Sequence, residues 1–417
     1  RALHARRGAR ARLVAWAAAH RDPARPLLWV HAPSVGEGLQ ARPVLEWARR
    51  ERPDAQVAYT FYSPSASNMA AGLVRAGLAD AADYLPFDTG GDAAALLGAL
   101  RPSALVFSKL DVWPVLAARA ARGGVRLGLV SATLSAGSSR RRPLAGALLR
   151  DAYAALDAVG AIDADDAERL VALGVRAGRV TVTGDTRYDQ VWRRARAAEA
   201  AWGSGQGPLV PGPLGTAAPP AGARFTLVAG STWPADEAAL AEAWPAVRRH
   251  DPAARLVLAP HEPTPAHLTP LERWAAGERL RCARLSSGPD AAAADVVLVD
   301  SVGGLAELYA GGDAAFVGGG FHDAGLHSVL EPAAFGVPVC FGPRHANSRD
   351  AGLLAAAGGG AAVPTGRALG ELLRRWRTST SARAHAGAAA RRLVEDGLGA
   401  DARAWALVAG LLPAASG

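Results

Sequence analysis

From Leu27 to about Val191 the chain repeats one pattern: a short apolar run, a polar turn, then a stretch with helical spacing. Apolar runs at 27–32, 56–62, 104–108, 126–131, 158–162 and 180–184 have the length of buried strands. Segments 38–50, 65–77, 91–100, 113–122, 141–156, 164–173 and 187–200 carry the helical spacing. Strands covered on both faces read as continuous apolar text, and helices between them serve as crossovers in a parallel sheet. A second series follows at 225–229, 254–259, 280–285, 295–300, 313–317 and 337–341, with helices between and at 380–396 and 399–412. Between the two series runs a Gly/Pro/Ala-rich stretch without periodicity, the composition of a linker. The expected fold is α/β, with Rossmann-like, doubly wound halves at 1–200 and 224–417 joined by a linker at 201–223. Such sheets bind ligands beyond the C-terminal ends of their strands, so a cleft between the two strand edges is expected.

Composition narrows the partners. The 417 residues suit about two domains, half of them hydrophobic and 20% charged. A net charge of +8 favours anionic partners. The densest basic pieces are Arg6, Arg7, Arg10 and Arg12, and Arg140-Arg141-Arg142. Neither has interleaved aromatics or a nucleic-acid module, so an anionic membrane surface is the expected partner and nucleic acid is not. Cys282 and Cys340 stand apart without a CxxC or Cys/His cluster, which predicts reduced thiols and no metal site. No run of 18 apolar residues is present. The chain opens on Arg1 and its only methionine is Met69, so a further N-terminal segment, an anchor among the possibilities, is expected upstream. Lys109 is the sole lysine among 46 basic side chains, which suggests a place where an ammonium point charge is needed.

The strand ends carry the candidate chemistry. HAPSVGEG, residues 31–38, follows the first strand; Ser34 and Gly36 make a turn and Glu37 starts the next helix. A carboxylate there either stabilises the helix dipole or serves as a general base at the edge of the sheet. FSKLDVWP, residues 107–114, ends another strand. On an extended segment Lys109 and Asp111 point the same way, as an ion pair or, with Trp113, as the border of an acceptor pocket. In the second half, Gly230-Ser231-Thr232, Pro260-His261-Glu262 and the paired Gly303-Gly304 each follow a strand. The stretch from Asp313 to Asn347 is the densest of all. Its strand runs into Gly318-Gly319-Gly320, then passes His322 and His327, and Ser328 is expected to open a helix closed by Gly336. A glycine turn beside a helix start can offer unpaired N–H groups to an anion, and Glu331, one turn past Ser328, can take sugar hydroxyls. The pattern reads as a nucleotide-sugar site. Taken singly, each of these residues also has a plain reading as a cap or turn.

Together these motifs resemble the Kdo transferases, glycosyltransferases that move 3-deoxy-manno-octulosonic acid (Kdo) from CMP-Kdo onto lipid A precursors. The resemblance runs along nearly the whole chain outside the linker. HAPSVGEG is similar to HAASxGE, KLDVW to KYEFW, and TGDTRYDQV to SGDTRFDRV. GST at 230–232 and PHE at 260–262 match family motifs, and FVGGGFHDAGLHSVLEPAAFGVPVCFGP is similar to YIGGGFGxGIHNxLEAAxFGxPVxFGP. Two positions depart: Asp111 stands where the family has Glu, and Ser328 where it has Asn. The resemblance implies a GT-B fold and inverting glycosyl transfer without a metal or other cofactor. It makes Glu37 the base, with Asp111 beside it and Ser34, Gly36, Lys109 and Trp113 on the acceptor side. Donor contacts are expected from Ser231, Thr232, His261, Gly303, Gly304, Gly319, Gly320, His327, Ser328, Glu331 and Asn347. It also implies work at the cytoplasmic face of the bacterial inner membrane.

Overall fold

The computed structural model describes residues 6–203, 224–323 and 325–414. The chain forms two units: residues up to Gln190 together with the segment from Gly397, and residues Val191–Asp396. Most of the expected linker, residues 204–223, lies outside the described residues.

The first unit holds β1 (Leu27–His31), β2 (Gln56–Phe61), β3 (Ala81–Tyr84), β4 (Ala104–Ser108), β5 (Arg126–Ala132), β6 (Ala158–Ala161) and β7 (Val180–Val182). They form one parallel sheet in the order β3-β2-β1-β4-β5-β6-β7. The chain winds outward from β1 to β3, then returns to lay β4 on the other side of β1, so β1/β4 is the point where the winding direction reverses. Alternate residues of one strand feed two cores. Leu27 and Trp29 pack on one face with Leu105, Phe107, Leu127 and Leu129, while Leu28 and Val30 pack on the other with Val57, Tyr59, Val106 and Val130.

The second unit holds β8 (Thr226–Thr232), β9 (Arg255–Pro260), β10 (Cys282–Arg284), β11 (Val296–Leu298), β12 (Ala314–Val317), β13 (Val339–Phe341) and β14 (Gly360–Ala362). They pair in parallel in the order β10-β11-β9-β8-β12-β13-β14, which puts the reversal at β8/β12. Phe225, Leu227, Trp244, Leu256, Leu258 and Phe316 lie in its core.

Three expectations change. The C-terminal segment belongs to the first unit: helix Ala400–Ala409 buries Ala404, Trp405 and Val408 in the core beneath β1, β2 and β4. Its start is pinned by Asp189, whose carboxylate accepts from the N–H of Gly399 (2.6 Å) and of Asp401 (3.0 Å). An apolar stripe on a helix does not say which sheet it will cover. The expected linker also begins late, because helix Thr186–Gly203 continues through residues 201–203. Two strands, β3 and β14, were not anticipated. Both are sheet edges, where one side needs no partner and the sequences AADY and GAA lack a buried apolar run. Among the described residues no helix is long and apolar enough to cross a membrane.

Candidate functional site

In the first unit the reversal point carries a set of polar side chains. Helix Val35–Glu51 starts directly after the β1 turn with Ser34 as its N-cap. Glu37 is in its first turn, where the helix dipole favours a carboxylate. The Ser34 hydroxyl donates to the Glu37 carboxylate, and Lys109 Nζ, at the end of β4, lies 3.3 Å from Glu37 Oε1. The Ser108 hydroxyl fixes the same turn by donating to the Glu37 carbonyl at 3.0 Å. Lys109 has φ 65°, a left-handed conformation that costs a non-glycine residue roughly 1–2 kcal/mol. Its N–H, bonded to the Val130 carbonyl at 2.9 Å, holds it there. An exposed ion pair returns only about 0–1 kcal/mol, so the strained lysine is poorly explained by stability. The sole lysine of the chain therefore faces Glu37 and not Asp111 as the extended reading expected. The reason is local: β4 ends at Ser108, and the backbone turns before Lys109 and Asp111 can share a face.

Asp111 forms a neighbouring cluster. Its carboxylate accepts from Trp113 Nε1 at 3.2 Å and from Arg140 Nη2 at 3.4 Å, and His31 Nε2 lies 3.9 Å away. Burial pushes the Asp111 carboxyl up, but the His31, Trp113 and Arg140 contacts outweigh it and hold the group below the usual carboxylate range. His31 is fully buried, and burial lowers its pKa. Its Nδ1 lies 3.0 Å from the Thr60 hydroxyl, which already accepts from Trp29 Nε1 at 2.9 Å. At 3.9 Å the Asp111 carboxylate is too far for a hydrogen bond, and Nε2 is buried without a partner. The imidazole is thus a neutral strut behind Asp111. Gly36 lies inside the helix, where a Cβ would make only an ordinary contact with Ser34 Oγ at 3.9 Å, so no steric demand calls for glycine there.

The second unit gathers its candidates at β8/β12. The Trp233 ring, directly after Gly230-Ser231-Thr232, stacks with His261 (4.7 Å between centroids) and with His322 (4.9 Å). Trp233 Nε1 donates to His327 Nε2 at 3.3 Å, and His327 lies 4.7 Å from His261. Burial, then the nearby His261, lowers the pKa of His327, with Asp236 opposing.

The glycine turn is not an open anion cradle. Asp236, fully buried, accepts from the N–H of Gly319 at 2.8 Å and of Phe321 at 3.0 Å, besides Trp233 N–H at 2.9 Å. Gly318 N–H goes to the Gly230 carbonyl at 2.9 Å. The glycines are required for packing: a Cβ on Gly318, Gly319 or Gly320 would lie 2.2, 2.1 or 2.4 Å from the backbone of Ser231, Gly325 or Gly342. Nor does Ser328 cap a helix, since the helix is Leu330–Ala334 with Val329 at its N-cap, and Ser328 is exposed. Thr232 is also committed internally. Its buried hydroxyl donates to Glu237 Oε1 at 2.8 Å, and His267 Nε2 meets the same carboxylate at 2.9 Å. Asn347 fastens the loop to the Leu326 backbone at 3.2 and 3.4 Å. Ser231 sits at φ 54°, and Gly303 and Gly304 at φ 100° and 74° lead into the short helix Leu305–Ala310. Glu331 lies beside the Arg194–Glu307 pair (2.8 Å), and burial raises its carboxyl above the usual range.

Sequence reasoning missed Trp233, Asp236, His31 and His267. Trp233 had a signal, an aromatic next to a strand-end GST; a packing role for Asp236 had none.

A family model described as 3-Deoxy-D-manno-octulosonic-acid transferase (kdotransferase) matches residues 5–190. The chain is 32% identical to a 3-deoxy-D-manno-octulosonic acid transferase of Bordetella pertussis over 394 residues, 89% of this chain and 87% of that one. It is 24% identical to the transferase of that name from Haemophilus influenzae, over 76% of this chain and 70% of the relative. Among solved structures, a UDP-GlcNAc 2-epimerase of Neisseria meningitidis matches 89% of this chain and 99% of its own with a TM-score of 0.59. A UDP-N-acetylglucosamine 2-epimerase of Listeria monocytogenes, described as putative, matches 93% and 96% at the same score. At 13% identity both likenesses concern the fold alone, the GT-B pairing of parallel α/β units. With its strand-end motifs in place on both sheets and a relative 32% identical over 89% of its length, the chain belongs to the 3-deoxy-D-manno-octulosonic acid transferase family of glycosyltransferases.

Proposed function

We propose that this chain transfers Kdo from CMP-Kdo to a glucosamine hydroxyl of a lipid A precursor, in lipopolysaccharide core biosynthesis. Glu37 takes the proton of that hydroxyl; the oxygen attacks the anomeric carbon of Kdo, and CMP leaves with its phosphate. The reaction inverts the anomeric centre. The observation that carries the reading is the Glu37 carboxylate at the β1/β4 reversal, fixed by Ser34 and Lys109 and still 17% exposed. A buried helix-capping glutamate would have no need of a strained lysine beside it.

On the donor side the reading moves away from the glycine turn, where Asp236 takes the N–H groups of Gly319 and Phe321. The imidazoles of His261 and His327 and the Ser231 hydroxyl are the phosphate partners in this proposal, with Trp233 holding the rings in place. Gly303, Gly304, Ser328, Glu331 and Asn347 remain proposed donor neighbours; Thr232, Gly319 and Gly320 act by packing. Attachment to an anionic membrane surface, the cytoplasmic face of the inner membrane, is supported by helix Pro143–Ala154. It follows Arg140-Arg141-Arg142 and leaves Leu144 and Leu148, one turn apart, almost fully exposed.

The test is direct. Purified protein incubated with CMP-Kdo and a lipid A precursor is expected to yield the precursor enlarged by Kdo, read by mass spectrometry. Turnover of a UDP-sugar with none of CMP-Kdo would overturn the donor assignment.

A further inference from the structure

The sheet of the second unit has two edges, and they are furnished differently. Beside β10 runs a groove whose charges cancel: Arg284 pairs with Glu272 at 2.9 Å and Arg281 with Asp295 at 3.2 Å. Beside β14 lies a groove of about 560 Å³ with no acid in its lining among the described residues. Helix Gly366–Thr378 supplies Arg375 to one wall. Helix Thr380–Asp396 supplies Ala382, His385, Ala389 and Arg392 to the other, a spacing of three and four residues that puts them on one face. Arg375 and Arg392 are exposed, and their guanidinium groups have no ion-pair or hydrogen-bond partner among the described residues. The acids one turn away are already taken, Glu371 by Arg367 at 3.3 Å and Glu395 by Arg391 at 3.0 Å. His385 Nδ1 donates to the Ser381 carbonyl at 2.8 Å, which leaves Nε2 to meet a partner.

The start of β14 forms the floor of the groove, and β14 is an open edge. It pairs only with β13, so alternate N–H and C=O groups along Gly360–Ala362 face outward. Its glycine and two alanines carry neither charge nor bulk to turn away a further strand. Ala357 and Gly358 precede β14, so the groove opens toward the strand starts, away from the strand ends that carry Ser231 and Trp233. An occupant there leaves the donor-side residues uncovered.

Charge and backbone together select that occupant. Unpaired guanidiniums call for an anion, and an open strand edge calls for extended peptide. A nucleotide would want a ring to stack on, but Trp376, in the same groove, is only 4% exposed. A second copy of this chain would bring its own Arg375 and Arg392 against these two, like charge against like. A bilayer surface suits protruding apolar side chains, and the most exposed leucines, Leu144 and Leu148, belong to the first unit. We propose that the β14 groove docks an extended acidic segment of a partner protein, added as a strand beside β14 with its carboxylates on Arg375 and Arg392.

Binding is measured by fluorescence anisotropy with a labelled peptide of alternating Glu and Val. One control peptide has Lys in place of Glu. The other is the Glu peptide N-methylated at alternate positions, which keeps the charge and blocks strand pairing. The acidic peptide is expected to bind wild type about tenfold or more tighter than either control. An R375E/R392E double variant is expected to bind it about tenfold more weakly, as two surface attractions become repulsions. Should that variant fail to fold, the N-methylated peptide decides the matter on the wild-type protein. Failure of the acidic peptide to bind overturns the proposal, and so does equal binding of either control. A wild-type dimer in sedimentation that R375E/R392E dissolves also overturns it, by assigning the edge to a second copy. So does binding to phosphatidylglycerol vesicles, and not to peptide, that R375E/R392E abolishes.

Discussion

The two sheets reverse direction at equivalent places and use them differently. At β1/β4 the polar groups are left available: Glu37 and Lys109 both reach solvent. At β8/β12 part of the turn is closed by a side chain, since Asp236 takes the N–H groups of Gly319 and Phe321, and Trp233 stacks on His261 and His322. The first region presents charge. The second presents a turn braced by a buried carboxylate, with aromatic rings stacked beside it. The same topology therefore yields either a reactive carboxylate or a rigid platform, depending on whether a neighbouring side chain satisfies the turn.

The contrast can be broken most severely at Gly318. A Cβ there meets the Ser231 carbonyl at 2.2 Å and the Thr232 Cα at 2.7 Å, both backbone, which cannot step aside cheaply. Gly318→Ala is expected to cost the second unit about 3 kcal/mol, a fall of roughly 6–12 °C in thermal midpoint. A change below about 1 °C in calorimetry would mean that the turn is looser than described.

Asp236→Ala asks whether the turn is an anion site held shut. Removing the carboxylate strips an acceptor from three N–H groups, a loss of about 2–3 kcal/mol. Added phosphate should then stabilise the variant more than the wild type. Equal response of both proteins would show that the turn is scaffold and nothing else.

The smallest effect tests the strut behind Asp111. His31 has its folded pKa below the ordinary value of about 6.5, so the unfolded chain binds the extra proton more readily. Its contribution to stability is present above about pH 6.5 and is lost as the pH falls below that. Between pH 7.5 and 5.5 the first unit is expected to lose about 1 kcal/mol that a His31→Gln variant does not lose. Parallel denaturation profiles for the two proteins would remove His31 from the account.

How far the sequence could be read follows from the same physics. Strands covered on both faces announced themselves, and with them the chemistry at their ends: HAPSVGEG, KLDVW, GST. Edge strands β3 and β14, half free of partners, left no apolar run to see. The glycine turn was visible but its purpose was not. Glycine is demanded equally by a phosphate at close range and by a carbonyl at close range, and the acid that decides between them lies 83 residues earlier. Lys109 stood out by being the sole lysine, yet its partner depended on a left-handed backbone that no spacing rule anticipates.

One measurement bears on the whole account: the transfer rate of Glu37→Gln at saturating CMP-Kdo and acceptor. The substitution keeps the shape and removes the base. The account predicts a fall of about 10²–10⁴-fold in kcat with the thermal midpoint nearly unchanged. A rate within a few-fold of wild type would contradict it.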